Sequence, residues 1–267
     1  MRPALLSIVA GVASAAPCDI FAAAGTPCVG AFSLLRSLFS AYDGPLYVVR
    51  RASDNTTRAI PVVAPGGLAN VTVQESFCAG TDCVVWRIVD QSQYNNDLTT
   101  APPGGTGRHV DNGVNASALR IDVAGGSHVY GALFESGANE GYRVDITNGV
   151  AVGNEPETIY MVTSGHYYND RCCFDFGNAE ANNDDTGEGS MEAVYMGSYN
   201  ASGKGWCGGE GDGPWVMAVR TVPPCCTSTR RRGRGRLTII ICKALCLHGS
   251  LERSCVAGPG VRHMGLR

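Results

Sequence analysis

The chain has 267 residues, 44% of them hydrophobic, with 12 cysteines and 35 glycines, enough for one large β domain or two small ones. Its formal net charge of −3 hides an asymmetry. Residues 1–218 carry 11 Lys and Arg against 23 Asp and Glu, whereas residues 219–267 carry 10 basic residues against one acid, Glu252. Beyond the N-terminus no run approaches the ~20 apolar residues of a membrane-spanning helix, which excludes an integral membrane protein of that kind.

The first segment, "MRPALLSIVAGVASAAPCD", has Arg2, an apolar stretch from Ala4 to Val12, and small residues Ala13, Ser14 and Ala15. This pattern predicts a secretory signal peptide over residues 1–15, with a buried N-terminal helix as the alternative. In "VGAFSLLRSLFSAYDG", Phe32, Leu35, Leu38, Phe39 and Tyr42 fall at helical spacing, and "DGP" stops the run. A helix is therefore expected over roughly residues 30–42. Short strands follow: 46–50, 83–90, 118–123, 128–134, 158–164, 172–177, 191–197 and 214–219, separated by loops such as "APPGGTG", "NNDDTGEG" and "GGEGDG". Many short strands with glycine-rich turns, and no alternation with helices, predict an all-β protein.

Secretion gives the cysteines a reading. In an oxidising compartment Cys18/Cys28 and Cys78/Cys83 are disulfide candidates, each closing a short loop, while Cys207 is left over. The adjacent Cys172 and Cys173 are harder to place. Neighbouring Cα atoms lie about 3.8 Å apart, below the roughly 4.4–6.8 Å usual for bridged cysteines. A bond between them makes a strained ring, and separate partners or free thiols are the alternatives. Sequons begin at Asn55, Asn70, Asn115 and Asn200, candidate glycosylation sites on the same secretory route.

Four blocks in order make the chain recognisable: "CDIFAAAGTPCVGAFSLLRSLFSAYDGPLYVVRRASDNTT", "DQSQYNNDLTTAPPGG", "GHYYNDRCCFDFGNAEANNDDTGEGSMEAVYMG" and "GPWVMA". From about Cys18 to Ala218 the sequence resembles the catalytic domain of the fungal α-L-arabinofuranosidases of glycoside hydrolase family 54. Phe21 stands where the family usually has Tyr, and Cys207 is an addition. The resemblance implies a β-sandwich, so the expected fold is an antiparallel β-sandwich of concanavalin or jelly-roll type, with the one short N-terminal helix near residues 30–42 packed on it. It also implies a secreted, exo-acting, retaining hydrolase that removes terminal arabinofuranose from arabinan and arabinoxylan side chains. No cofactor or metal, no nucleic acid and no membrane is implied, and a monomer is expected. The family usually adds a C-terminal arabinose-binding β-trefoil, which residues 219–267 do not resemble.

The resemblance further implies that Cys172–Cys173 is a vicinal disulfide packed against the bound sugar, a rigid apolar face with no rotamer freedom to lose. Trp206, nine residues before Trp215, matches a family aromatic and is a candidate to border the sugar, with core or rim packing as the alternative. Asp90, Asp175 and Glu192 are motif carboxylates that could hydrogen-bond the substrate, or serve structural hydrogen bonds instead. A retaining hydrolase needs two carboxyl groups about 5–5.5 Å apart, a nucleophile and an acid/base. In the family "PW-x-M-A" continues as Asp-x-Glu-Asn-Gly, where the Glu is the nucleophile, and the acid/base Asp lies much further on. Here Val219, Arg220 and Thr221 occupy the Asp, x and Glu positions.

Residues 219–267, with "RRRGRGR", an isolated "LTIIIC" and five cysteines, show no alternation that would complete a sheet. A Val-Arg pair can be encoded GTR-CGT, which fits a common fungal splice-donor pattern, GT-R-N-GT. The tail then reads as translated intron or frameshift, disordered, joined to a catalytic sandwich over residues 16–218. Its rivals are a natural truncated paralogue and a genuine basic tail that binds phosphate-rich partners. No aromatic residues interleave with the arginines to support the last.

Overall fold

The computed structural model describes residues 15–103, 109–135, 137–151, 155–164, 175–177, 192–197 and 215–220. Helix α1, Pro17–Ala23, opens the described chain, with a proline in its first turn, where the missing N–H costs nothing. Asp19 ties it down by accepting from Ala16 N and, at 2.9 Å, from Ser40 N. A second helix, α2, Val71–Phe77, lies on the five-stranded sheet described below. Its Gln74 is fully buried, accepting from the Tyr47 hydroxyl at 2.7 Å and donating to Ala116 O at 2.9 Å.

The rest is antiparallel sheet. Strands β1 (Pro45–Arg51), β2 (Thr57–Pro61), β3 (Cys83–Ile88), β4 (Leu98–Thr100) and β7 (Tyr142–Arg143) form a five-stranded sheet in the order β2-β1-β3-β4-β7. Strands β5 (Leu119–Asp122) and β6 (His128–Gly131) form a hairpin. Strands β8 (Asp175–Gly177), β9 (Glu192–Gly197) and β10 (Trp215–Arg220) form a three-stranded unit in the order β10-β9-β8. The sheets are open, in keeping with a sandwich rather than a closed barrel.

Burial explains the sequence pattern of β1. Leu46, Tyr47, Val48 and Val49 are all buried, so both faces of this inner strand are covered and no polar alternation survives. One core joins the sheets, running from Phe32, Leu34 and Leu35 through Val49, Val85 and Ile88 to Val114, Val129, Tyr142 and Phe176. Gly113 is required where the chain passes β3, because a Cβ there would lie 2.2 Å from Val85 O. Cys18–Cys28 and Cys78–Cys83 are bridged, with Cα atoms 5.6 and 5.8 Å apart, as their spacing predicted.

Two expectations are corrected. Residues 30–42 form no helix. Phe32, Leu34, Leu35 and Leu38 are buried, but on an irregular segment whose backbone bonds to distant partners: Leu38 O accepts from Cys18 N, and Leu35 O from Ala69 N. Such cross-links compete with the i to i−4 ladder of a helix, and here they win. The span 158–164 forms no named strand; only Val162 makes a bridge. The elements that the pattern missed, α1, α2, β2, β4 and β7, are seven residues or fewer.

Candidate functional site

The motif "DQSQYNND" turns out to be a clamp. Asp90, only 4% exposed, accepts four hydrogen bonds: from Ala31 N at 2.8 Å, Ser92 N at 2.9 Å, Ser92 Oγ at 2.8 Å and Asn96 N at 2.9 Å. Gln91 accepts from Leu38 N at 2.7 Å and donates its own N–H to Ala31 O at 2.8 Å. The Asn96 amide donates to Val29 O at 2.9 Å and Asn148 O at 3.0 Å, and accepts from Asn148 N at 2.7 Å. Together these three side chains supply the backbone partners that the irregular segment 29–38 lacks by itself. Asp97 accepts from Asp90 N at 2.9 Å and faces Arg87 at 3.5 Å. Burial, and then the charges of Asp97, Asp90 and Asp43, push the Tyr42 phenol up to about 12, which keeps it a donor to Pro45 O. Of the two roles foreseen for Asp90, the structural one is what its geometry fills.

The clamp reaches the second motif through a ring contact. Phe176, the central residue of β8 and 2% exposed, meets the Phe32 ring edge-on, with centroids 6.2 Å apart and planes at 76°. Strand alternation then sorts the three-stranded unit into two faces. Positions 176, 194 and 218 share one row, the row of the buried Phe176. Positions 175, 195 and 217, and positions 177, 193 and 219, form the rows on the opposite face. Positions 175 and 219 therefore lie on the face opposite to that of position 176, two strands apart. Position 192 of β9 pairs with position 220 of β10.

Cys172, Cys173, Trp206, Thr221, Asn200 and Cys207 lie outside the described residues. Of the other sequons, Asn55 and Asn115 are exposed and Asn70, just before α2, is half-buried. Asn55 sits at a φ of 59° in the turn between β1 and β2, a left-handed position that asparagine tolerates. Among the described residues no group of three His, Cys, Asp or Glu converges as a metal site, and no helix is long and apolar enough to cross a membrane. Sequence reasoning missed Asn96, Gln91 and Phe32 as the parts that tie the two motifs together. Four short polar residues in "QSQYNND", more than one turn requires, were the available signal.

Residues 17–220 match the family model for the catalytic domain of α-L-arabinofuranosidase B. The chain belongs to that family. A probable α-L-arabinofuranosidase B of Aspergillus fumigatus is 48% identical over 207 residues, 76% of this chain and 40% of the relative. The α-L-arabinofuranosidase B of Emericella nidulans is 46% identical over 218 residues, 80% of this chain and 42% of the relative. Among solved structures, an arabinofuranosidase complexed with arabinofuranosyl-α-1,2-xylobiose superposes with a TM-score of 0.69 at 43% identity, covering 76% of this chain and 42% of that one. A family 54 α-L-arabinofuranosidase soaked with a cyclic sulfate inhibitor matches equally well. The chain thus spans about two fifths of the length of these relatives. The family assignment covers both motifs above, the clamp and the β8–β9–β10 unit.

Proposed function

We propose that residues 16–218 are the greater part of the catalytic sandwich of a secreted, retaining α-L-arabinofuranosidase, and that the chain as it stands binds arabinofuranose without hydrolysing it. The observation that carries this is the register of β10. The strand pairs with β9 without a break from Trp215 to Arg220, which supports reading positions 219 and 220 as a continuation of the family's strand. Those places are where the family resemblance puts Asp-x-Glu. Neither Val219 nor Thr221 can form the covalent glycosyl intermediate that retention requires.

The substrate is terminal arabinofuranose on arabinan or arabinoxylan. A relative's complex with arabinofuranosyl-α-1,2-xylobiose supports that class. The sugar would lie on the face that carries positions 175 and 219, against a Cys172–Cys173 bridge and Trp206, in a monomer that acts outside the cell without metal, cofactor, nucleic acid or membrane. The charge reversal at Val219, beside a family match that stops at residue 220, supports reading 219–267 as translated intron or frameshift. The second reading, a natural non-catalytic carbohydrate-binding paralogue, draws on the same Val219 and Thr221. Genomic DNA beyond the Val219 codon separates the two. An Asp-x-Glu-Asn-Gly continuation in any frame supports the enzyme interrupted at the join. Its absence over the length of an ordinary intron supports the paralogue.

A further inference from the structure

We propose that Asn55, at the tip of the β1–β2 turn, is an N-glycosylation site that the folded chain keeps, and that the fold excludes a glycan at Asn70. Delivery of the chain to the compartment where glycan is attached rests on the secretory reading above; the contrast between the two asparagines does not.

Both residues begin sequons, Asn55-Thr56-Thr57 and Asn70-Val71-Thr72, so the motif alone ranks them equally. Their surroundings differ. Residues 52–59 are all exposed, and Asn55 stands in the middle of that run. The turn is closed by Arg51 N donating to Thr56 O at 3.1 Å and Asn55 N to Arg51 O at 3.0 Å. Asp54 braces it, accepting from Arg51 Nη2 at 2.6 Å, Thr56 N at 3.0 Å and Thr56 Oγ1 at 2.8 Å. None of these bonds uses the Asn55 amide, so a substituent on its Nδ2 leaves the turn intact. Asn70 is half-buried at the start of α2, which packs on β2. Its N–H donates to Pro61 O at 2.8 Å, and its carbonyl accepts from Val73 N at 3.1 Å. Ala69 before it is 2% exposed and donates to Leu35 O at 2.9 Å, while Val71 after it packs against the core. A bulky, hydrated oligosaccharide at this position stands between two residues that the core holds.

The modification joins Asn55 Nδ2 to the anomeric carbon of an oligosaccharide carried on a lipid diphosphate. The C–N bond forms as the anomeric C–O bond to the diphosphate breaks, the lipid diphosphate leaves, and the amide nitrogen gives up one proton. Attachment precedes folding, so folding sorts the products. A glycan at Asn55 is left in solvent, whereas one at Asn70 obstructs the docking of α2.

The test expresses the 267-residue chain in a fungal secretory host, once with its own residues 1–15 and once with a host secretion signal in their place. Cells and medium are pooled and split into soluble and insoluble fractions. Each is treated with peptide N-glycosidase in heavy-oxygen water, which converts every formerly glycosylated asparagine to labelled aspartate, and peptide masses give the occupancy. Most copies should be labelled at Asn55 in both fractions, and Thr57→Ala should erase that label. Label at Asn70 should be at least about fivefold rarer in the soluble fraction than in the insoluble one, the ratio that roughly 1 kcal/mol of folding free energy sets. If the parent chain is wholly insoluble, Asn70→Gln should bring part of it into solution and Asn55→Gln should not; failure of Asn70→Gln to do so overturns the sorting. Asn55 unlabelled in the chain that bears the host signal overturns the site. Asn70 labelled as fully as Asn55 in the soluble fraction overturns the contrast. Label at Asn55 with the host signal, but at no sequon with the chain's own residues 1–15, overturns the secretory reading and upholds the site.

Discussion

Replacing Asp90 by alanine removes the acceptor of four hydrogen bonds at once. Ala31 is 0% exposed, Asn96 2% and Ser92 7%, so solvent does not readily take over. Each buried donor left without a partner costs roughly 1–3 kcal/mol. The serine hydroxyl can turn elsewhere, which leaves three backbone N–H groups. Water entering the vacated volume will satisfy some of the three. A net loss of about 3–5 kcal/mol follows, at the upper end for single substitutions. At ~2–4 °C per kcal/mol for a domain of this size, the melting temperature should fall by roughly 6–20 °C. Urea unfolding is the assay: the midpoint should drop with an unchanged slope. Asp122→Ala, at a side chain 80% exposed, should stay within about 0.5 kcal/mol of the parent. Asp90→Asn, which keeps one acceptor but turns an amide N–H toward donors, should fall between. A loss below about 1 kcal/mol for Asp90→Ala would refute the clamp.

Glu140 is buried, and burial first, then the charge of Glu135, raises its pKa against the opposing hydrogen bond from Glu135 N. The folded state therefore holds this proton more tightly than the unfolded chain does. Its contribution to stability is complete below the usual 4.5 and is lost as pH rises through the folded value. Glu140→Gln should flatten stability against pH across that window and be neutral or stabilising at pH 7; a clear loss at pH 7 contradicts this. Removing Cys78–Cys83 by a double alanine substitution should cost about 2 kcal/mol, and removing Cys18–Cys28, with its longer loop, about 3 kcal/mol. Denaturation without reductant checks both, and a reversed order would count against the loop-entropy argument. Non-reducing peptide mapping should recover Cys172 and Cys173 bridged to each other; free thiols at both would remove the rigid face from the proposed site.

Much of the fold was legible because its signals are local. The apolar runs of β1 and β3 and the alternation in "MEAVYMG" mark strands whatever their partners are, and the 10- and 5-residue separations of the first two cysteine pairs suit short closed loops. The irregular segment 30–42 was not legible, for a physical reason. Helical spacing at Phe32, Leu35 and Leu38 reports that these side chains are buried, and burial alone does not require a helix. What decides the backbone is where its N–H groups find acceptors. Here the acceptors come from Asp90 and Gln91, more than 50 residues away. The same distance hid the link from Phe32 to Phe176. On the site itself, position 175 and the end of β10 were legible as motif members, and that they share one face emerged only from the register of β8, β9 and β10.

The central claim is that a genuine family frame carries the wrong residues at positions 219–221. The most direct measurement is hydrolysis of 4-nitrophenyl α-L-arabinofuranoside by the 267-residue chain beside a form in which genomic sequence after Ala218 restores Asp-x-Glu-Asn-Gly. The account predicts turnover by the restored form alone, with arabinofuranoside binding detectable in both. Comparable turnover by the two would contradict it, because a chain with Val219 and Thr221 would then have a nucleophile elsewhere.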